Sequence, residues 1–233
     1  MNSRGRFAFD AYGVVVTAHL AAQLLGADTA ARWTQWALMP VLAAALLAAR
    51  QRKRPLSRLE RFTLAGVGFS WLGDTLPHFV GGTVGSTEPG ITSFLVLVGM
   101  FAVAQTLYAV AFWPYRDASV LRSPWLLAYL GAAVVMVALC TPGAGPLLPA
   151  VVLYAALIAV MAALATGVHR LTAMGAILFM ISDSVIALGA FAPWWNLTGQ
   201  GFWVMSTYAA AQFLTVFGVV ARSDAGPSPR SDR

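Results

Sequence analysis

Apolar residues run along this chain in eight blocks of helix length, separated by short polar, glycine-bearing or proline-bearing stretches. The blocks lie near residues 7 to 25, 33 to 49, 61 to 80, 91 to 112, 123 to 140, 147 to 165, 171 to 191 and 201 to 221. A helical bilayer span needs about 20 mostly apolar residues, so the pattern predicts an all-α polytopic membrane bundle of eight transmembrane helices. Blocks five and six are parted only by TPGAGP at 141–146, which reads as a turn. Residues 1–222 are expected to form a single domain, and the polar stretch 223–233, with Pro227 and Pro229, a disordered cytoplasmic tail. The stretch GGTVGSTEPG at 81–90 reads as a flexible surface loop, because it lacks the Lys-Ser/Thr ending and flanking strand of a phosphate-binding loop.

Composition agrees with the pattern, since 59% hydrophobic residues against 10% charged lies outside the soluble class. The formal charge of +6 resembles a nucleic-acid signature until the basic residues are placed between the blocks. Eight spans put both termini on one side, and of the 15 Lys and Arg residues only Arg32 falls on the other. Positive residues favour the cytoplasmic side, so both termini are expected there and no nucleic-acid partner is expected. The cluster from Arg50 to Arg61 is expected to meet anionic lipid of the bilayer. The N-terminal MNSRGRF lacks a clean cleavage site after its apolar run and reads as the approach to a retained first span. An Ala-rich, Arg-rich chain of this kind points to the cytoplasmic (inner) membrane of a bacterium. Cys140, the single cysteine, leaves neither an intramolecular disulfide nor a cysteine-based metal site. Trp33, Trp36, Trp113, Tyr115, Trp125, Trp194, Trp195 and Trp203 fall at block ends and need no reading beyond interfacial anchoring.

Two carboxylates break the apolar blocks in similar settings: Asp74 in GVGFSWLGDTL and Asp183 in GAILFMISDSVIALG. An ionisable group inside a span costs at least about 2.5 to 3.5 kcal/mol at its centre, so a repeated one demands either a bonding partner or a function. Depth places them together. Asp74 follows Arg61, and Asp183 follows Arg170, by the same interval of about 20 Å of helix. His19 lies at the same interval from Arg6, and Tyr208, Gln212, Tyr108 and Gln105 fall near the same layer. His19 reads equally as a helix bridge or as part of a site, whereas Asp10, in the first turn of its block, reads as a helix cap. A glycine stands eight residues before each Asp, Gly66 and Gly175, and a Tyr/Gln pair follows in the next block. That correspondence suggests a parallel four-plus-four repeat with a site between the halves.

Two carboxylates sharing a water-reachable pocket repel each other, so one neutral Asp can give a proton while its ionised partner takes one from water. That division of labour suits reactions passing through an oxocarbenium ion. Tyr108, Gln105, Tyr208, Gln212, Ser182, Ser184 and His19 are the candidates to orient water or bind a polar head group. No cofactor is called for. A retinal Schiff base would need a lysine within a span, and Lys53 is in a loop; serine catalysis finds no G-x-S-x-G motif. A metal set of His19, Asp74, His78 and Asp183 stays open, but no metal is expected. A small proton-coupled transporter and a non-catalytic lipid-binding membrane protein also fit such residues.

FSWLGD at 69–74, LFMISDS at 178–184, AQTLYAVAF at 104–112 and STYAAAQFL at 206–214 resemble, in order and spacing, the motifs of the YhhN-like lysoplasmalogenase family. The likeness covers blocks three to eight well and the first two poorly. It departs at Gln105, where the family often has His, and at Gln35, where it often has Lys. The resemblance implies an eight-span hydrolase acting on a lysophospholipid substrate. It would cleave the vinyl-ether bond of lysoplasmalogens to a fatty aldehyde and a glycerophospho head group, with Asp74 and Asp183 as catalytic residues.

Overall fold

A computed structural model describes residues 3–50, 54–80 and 91–224, and among these there is no strand. Eight α-helices follow one another: α1 Ser3–Leu24, α2 Asp28–Ala49, α3 Arg58–Thr75, α4 Ile91–Phe112, α5 Leu126–Ala144, α6 Leu148–Ala165, α7 Arg170–Phe191 and α8 Gln200–Asp224. Each coincides with one predicted block. The loop expectation for 81–90 and the tail expectation for 225–233 lie outside the described residues; Ser223 and Asp224 still belong to α8.

The expected count of eight spans is not met when length and apolarity are taken together. Five segments qualify among the described residues: α1, the run Ile91–Ala118, the 40-residue run Leu126–Ala165, α7 and α8. Two physical causes reduce the number. Polar positions dilute α2, with Asp28, Arg32, Thr34 and Gln35, and α3, with Arg58, Glu60, Arg61, Ser70 and Asp74. Helices α5 and α6 merge into one run because their connection, a 3-10 turn at Gly145–Leu147, is itself apolar. The reversal is also narrower than TPGAGP suggested. Helix α5 carries Thr141 and Pro142 inside it, and the chain turns at Gly145, whose φ of +47° suits a residue without Cβ.

Local signals account for several helix ends. Ser57 and Glu60 form a reciprocal capping box at the start of α3, with Glu60 N–H donating to Ser57 Oγ (3.2 Å) and Ser57 N–H donating to Glu60 Oε2 (2.7 Å). His169 caps α7 by accepting from Leu171 N–H at 3.2 Å. Asp10 does not cap α1: the helix already runs from Ser3, which leaves Asp10 exposed two turns in.

Consecutive helices pack as hairpins, α1 with α2, α3 with α4, α5 with α6 and α7 with α8, and α8 also touches α1, α2 and α3. Helix α6 packs on α4 and α7, and α5 on α7. Small residues allow the closest approaches. A Cβ on Gly66 would stand 2.6 Å from the Tyr108 ring of α4, and one on Gly175 would stand 2.6 Å from the Ala211 carbonyl oxygen of α8. One continuous core joins Phe9 and Tyr12 of α1 to Val216 and Val219 of α8. A smaller cluster gathers Cys140, Ala144 and Phe191 at one end of α5 and α7.

Candidate active site

A cavity of about 590 Å³ lies among α4, α5, α6 and α7. Its α5 wall runs from Trp125 to Cys140, which corresponds to about 22 Å of helix. Nearly all of the wall is apolar, with Val98, Ala132, Met136, Val151 and Ile181 typical, and its carboxylate is Asp183. Ser184, beside Asp183 in the chain, also reaches the wall. Burying a carboxylate among such groups costs several kcal/mol unless a donor meets it. That donor is Tyr154 of α6, whose O–H donates to Asp183 Oδ2 at 2.5 Å.

Asp74 has a different setting. The expectation of two acids facing one pocket is not met, because Asp183 lines the cavity and Asp74 does not. Asp74 is buried, 6% exposed, and accepts from the Tyr208 O–H at 2.8 Å. Its other near neighbour is the side chain of Gln35. Three rings, Phe101, Phe179 and Tyr208, stand in mutual edge-to-face contact at centroid distances of 5.6 to 6.0 Å and connect the cavity wall to the hydroxyl that meets Asp74. Phe101 belongs to the cavity wall and is seated on Gly73, where a Cβ would come within 2.8 Å of its ring. The two carboxylates are nonetheless close enough for their charges to interact.

The remaining candidates divide between these two environments and the packing. Tyr108 O–H donates to Gln212 Oε1 (2.7 Å), and Gln212 Nε2 donates to Ser70 Oγ (2.9 Å), which ties α4, α8 and α3 together behind Asp74. Gln105 is fully buried beside the Tyr154 hydroxyl, and its two amide atoms close no hydrogen bond among the described residues. Ser182 O–H donates to the Val204 carbonyl at 3.1 Å, a bridge from α7 to α8 that turns it away from the cavity. His19 belongs to neither acid. Its Nδ1 meets the Ala31 carbonyl at 3.0 Å and Thr34 Oγ1 at 3.1 Å, so it bridges α1 to α2.

Among the described residues no three His, Cys, Asp or Glu side chains gather as a metal site would require. The set left open is dispersed, with His19 of α1 bonded to α2 and the His78 ring edge-on to Trp36 at 5.8 Å. Sequence reading missed Tyr154 and Tyr12, and met Gln35 only as a departure from the family pattern. Tyr154 left one usable signal, as the single polar side chain in the apolar α6 sequence LPAVVLYAALIAVMAALA. Tyr12 O–H donates to the Ala209 carbonyl (3.0 Å) and lies within electrostatic range of Asp74.

Fold and site together define an all-helical protein of membrane character with a single carboxylate set into the wall of an apolar cavity that is open on one side, where Trp125, Val135 and Ile181 are exposed. The chain belongs to the YhhN family, whose model matches residues 31–219. No curated protein and no solved structure matches it. Both positions that depart from the family resemblance sit at the acids: Gln35 beside Asp74, and Gln105 behind the tyrosine that holds Asp183.

Proposed function

We propose that this protein is a membrane hydrolase that cleaves the vinyl-ether bond of lysoplasmalogen-like lipids, releasing a fatty aldehyde and a glycerophospho head group. The observation that carries this reading is Asp183, a carboxylate in the wall of an otherwise apolar cavity of about 590 Å³, large enough for an alkenyl chain. Membership of the YhhN family supports it.

In this reading Asp183, protonated, gives its proton to the alkenyl carbon that lies β to the ether oxygen. The electron pair of the double bond forms the new C–H bond, and an oxocarbenium ion remains. Water then bonds to the cationic carbon and returns a proton to Asp183. The hemiacetal collapses as its hydroxyl proton leaves, the C=O bond forms, the bond to the glyceryl oxygen breaks and that oxygen takes up a proton. One water is consumed and no cofactor is needed. Asp74, one aromatic layer away, acts through its charge and favours the cationic intermediate. Tyr208 and Gln35 hold Asp74 in place, and Ser184 orients the water or the head group. The roles of Tyr108, Gln212, Ser182, Gln105 and His19 follow from their bonds: the first three and His19 keep the helices in register around the site, and Gln105 faces Tyr154.

The proposal places all eight helices across the bacterial cytoplasmic membrane with both termini inside, as two four-helix halves. Helices α2 and α3 cross despite their polar positions because the exposed charges Asp28, Arg32, Arg58 and Arg61 stand in the first two turns of each helix, while Ser70 and Asp74 deeper in α3 are buried. The test is aldehyde detection with purified protein in detergent and lysoplasmalogen as substrate. Aldehyde from the wild type and none from Asp183→Asn is the expected result. Absence of aldehyde from the wild type overturns the reading and leaves lipid binding or transport, the latter visible only with two compartments.

A further inference from the structure

Tyr154 belongs to none of the motifs that drew attention to this chain, yet it makes the one hydrogen bond that reaches the Asp183 carboxylate from the described residues. Its ring lines the cavity, and its hydroxyl has the amide of Gln105 for a neighbour. Gln105 is wholly buried, and neither of its amide atoms closes a hydrogen bond among the described residues. A buried amide with both ends unmet is rare in folded proteins, and it points to a role at the group it faces.

The two tyrosine–aspartate pairs differ in what surrounds the second carboxylate oxygen. Asp74 has Tyr208 on Oδ2, the Gln35 side chain close by and no edge on the cavity. Asp183 has Tyr154 on Oδ2 and the cavity beyond. Binding of Oδ2 by a donor from α6 fixes the rotation of the carboxyl group and leaves Oδ1 as the oxygen free to meet a ligand.

We infer that Tyr154, supported by Gln105, is the positioning residue for Asp183: its O–H secures Oδ2 and directs Oδ1 into the cavity. This rests on the hydrolase reading given above. Once Asp183 has given its proton to the alkenyl carbon, the Tyr154 O–H donates to a charged oxygen, where a hydrogen bond is about twice as strong as between neutral groups. Stabilisation that arises as charge develops speeds the chemical step and leaves substrate binding largely unchanged. Gln105, beside the Tyr154 hydroxyl, is placed to hold the phenol in the orientation that aims its proton at Asp183.

The experiment compares purified full-length wild type, Tyr154→Phe and Gln105→Leu in detergent, with lysoplasmalogen as the probe and aldehyde as the readout. Tyr154→Phe is expected to lower kcat by roughly ten- to a hundredfold, the loss of one hydrogen bond to a charged group, with KM within about twofold. Gln105→Leu is expected to lower kcat by a smaller factor, again with KM little changed. An unaltered kcat in Tyr154→Phe, or a loss of activity expressed only in KM, overturns the inference while leaving the hydrolase reading in place. If Tyr154→Phe does not fold, Gln105→Leu decides by the same criterion. A second readout needs no turnover. The infrared carbonyl band of Asp183, identified by its disappearance in Asp183→Asn, should move in Tyr154→Phe; a band that stays in place overturns the inference even if the wild type releases no aldehyde.

Discussion

The Phe101 ring meets the Tyr208 ring edge to face, with centroids 5.6 Å apart and planes at 84°. One side of that contact is the cavity wall, since Phe101 lines it, and the other holds the hydroxyl that donates to Asp74. Phe179 touches both rings, so the three form one aromatic cluster. Two acids with matching sequence neighbourhoods therefore end in unlike surroundings, one at an apolar cavity and the other in a closed hydrogen-bonded cluster.

That difference predicts unequal losses. Asp183→Asn removes the proton donor itself and is expected to reduce aldehyde release by about 10²- to 10⁴-fold, the usual contribution of a general acid or base. Asp74→Asn keeps the shape of a side chain that does not line the cavity and removes only charge, so its loss should be distinctly smaller. Initial rates for both variants in one detergent preparation decide this; equal losses would return Asp74 to the reacting atoms.

Removing Phe101, the ring that joins the cavity wall to Tyr208, should change which acid can be reached. An apolar carbodiimide that enters the cavity is expected to modify Asp183 in the wild type and to modify Asp74 only in Phe101→Ala, as read by peptide mass spectrometry. The same substitution should lower stability by about 3 to 5 kcal/mol, the cost of a large aromatic removed from a packed site. Labelling of Asp74 in the wild type would show that the rings do not seal it.

Filling the cavity should act on substrate binding. Ala133 of α5 lines the cavity, and Ala133→Trp would occupy space that the alkenyl chain requires. The expected result is a KM raised by about tenfold or more for a long-chain lysoplasmalogen, with the increase shrinking for short-chain analogues. A chain-length series measured against the wild type provides the check, and a KM unaffected at every length would place the lipid elsewhere.

Two glycines of α3, two residues apart, should respond in opposite ways. A Cβ on Gly66 would lie 2.6 Å from the Tyr108 ring, whereas one on Gly68 would meet nothing within 4 Å. Gly66→Val is expected to force α3 away from α4 at a cost of about 1 to 3 kcal/mol or more, and Gly68→Ala to be neutral or slightly stabilising. Thermal unfolding of the two variants in detergent measures the difference.

Much of this arrangement was legible before any coordinates. Apolar block length marked all eight helices, because helix formation in an apolar setting is dictated by local backbone hydrogen bonding and side-chain polarity. Depth along a helix was legible too, since rise per residue is constant; it is why Asp74 and Asp183 could be placed in one layer. Rotation about the helix axis was not. Tyr108 and Tyr208 each lie in the block that follows an Asp-bearing block, yet Tyr208 bonds Asp74 while Tyr108 bonds Gln212. His19 stood at the right depth and turned toward α2 instead.

The sequence by itself determined which stretches are helical, which few polar groups interrupt them, and the family to which such a set belongs. Tertiary structure decided the rest: that Asp183 lines a cavity while Asp74 is buried against Tyr208, and that α6 supplies the partner of Asp183. The reason is that a cavity is bounded by four helices at once. Its existence, and the choice of side chains that line it, depend on how far apart those helices stand and how each is rotated, quantities that no single stretch of chain encodes.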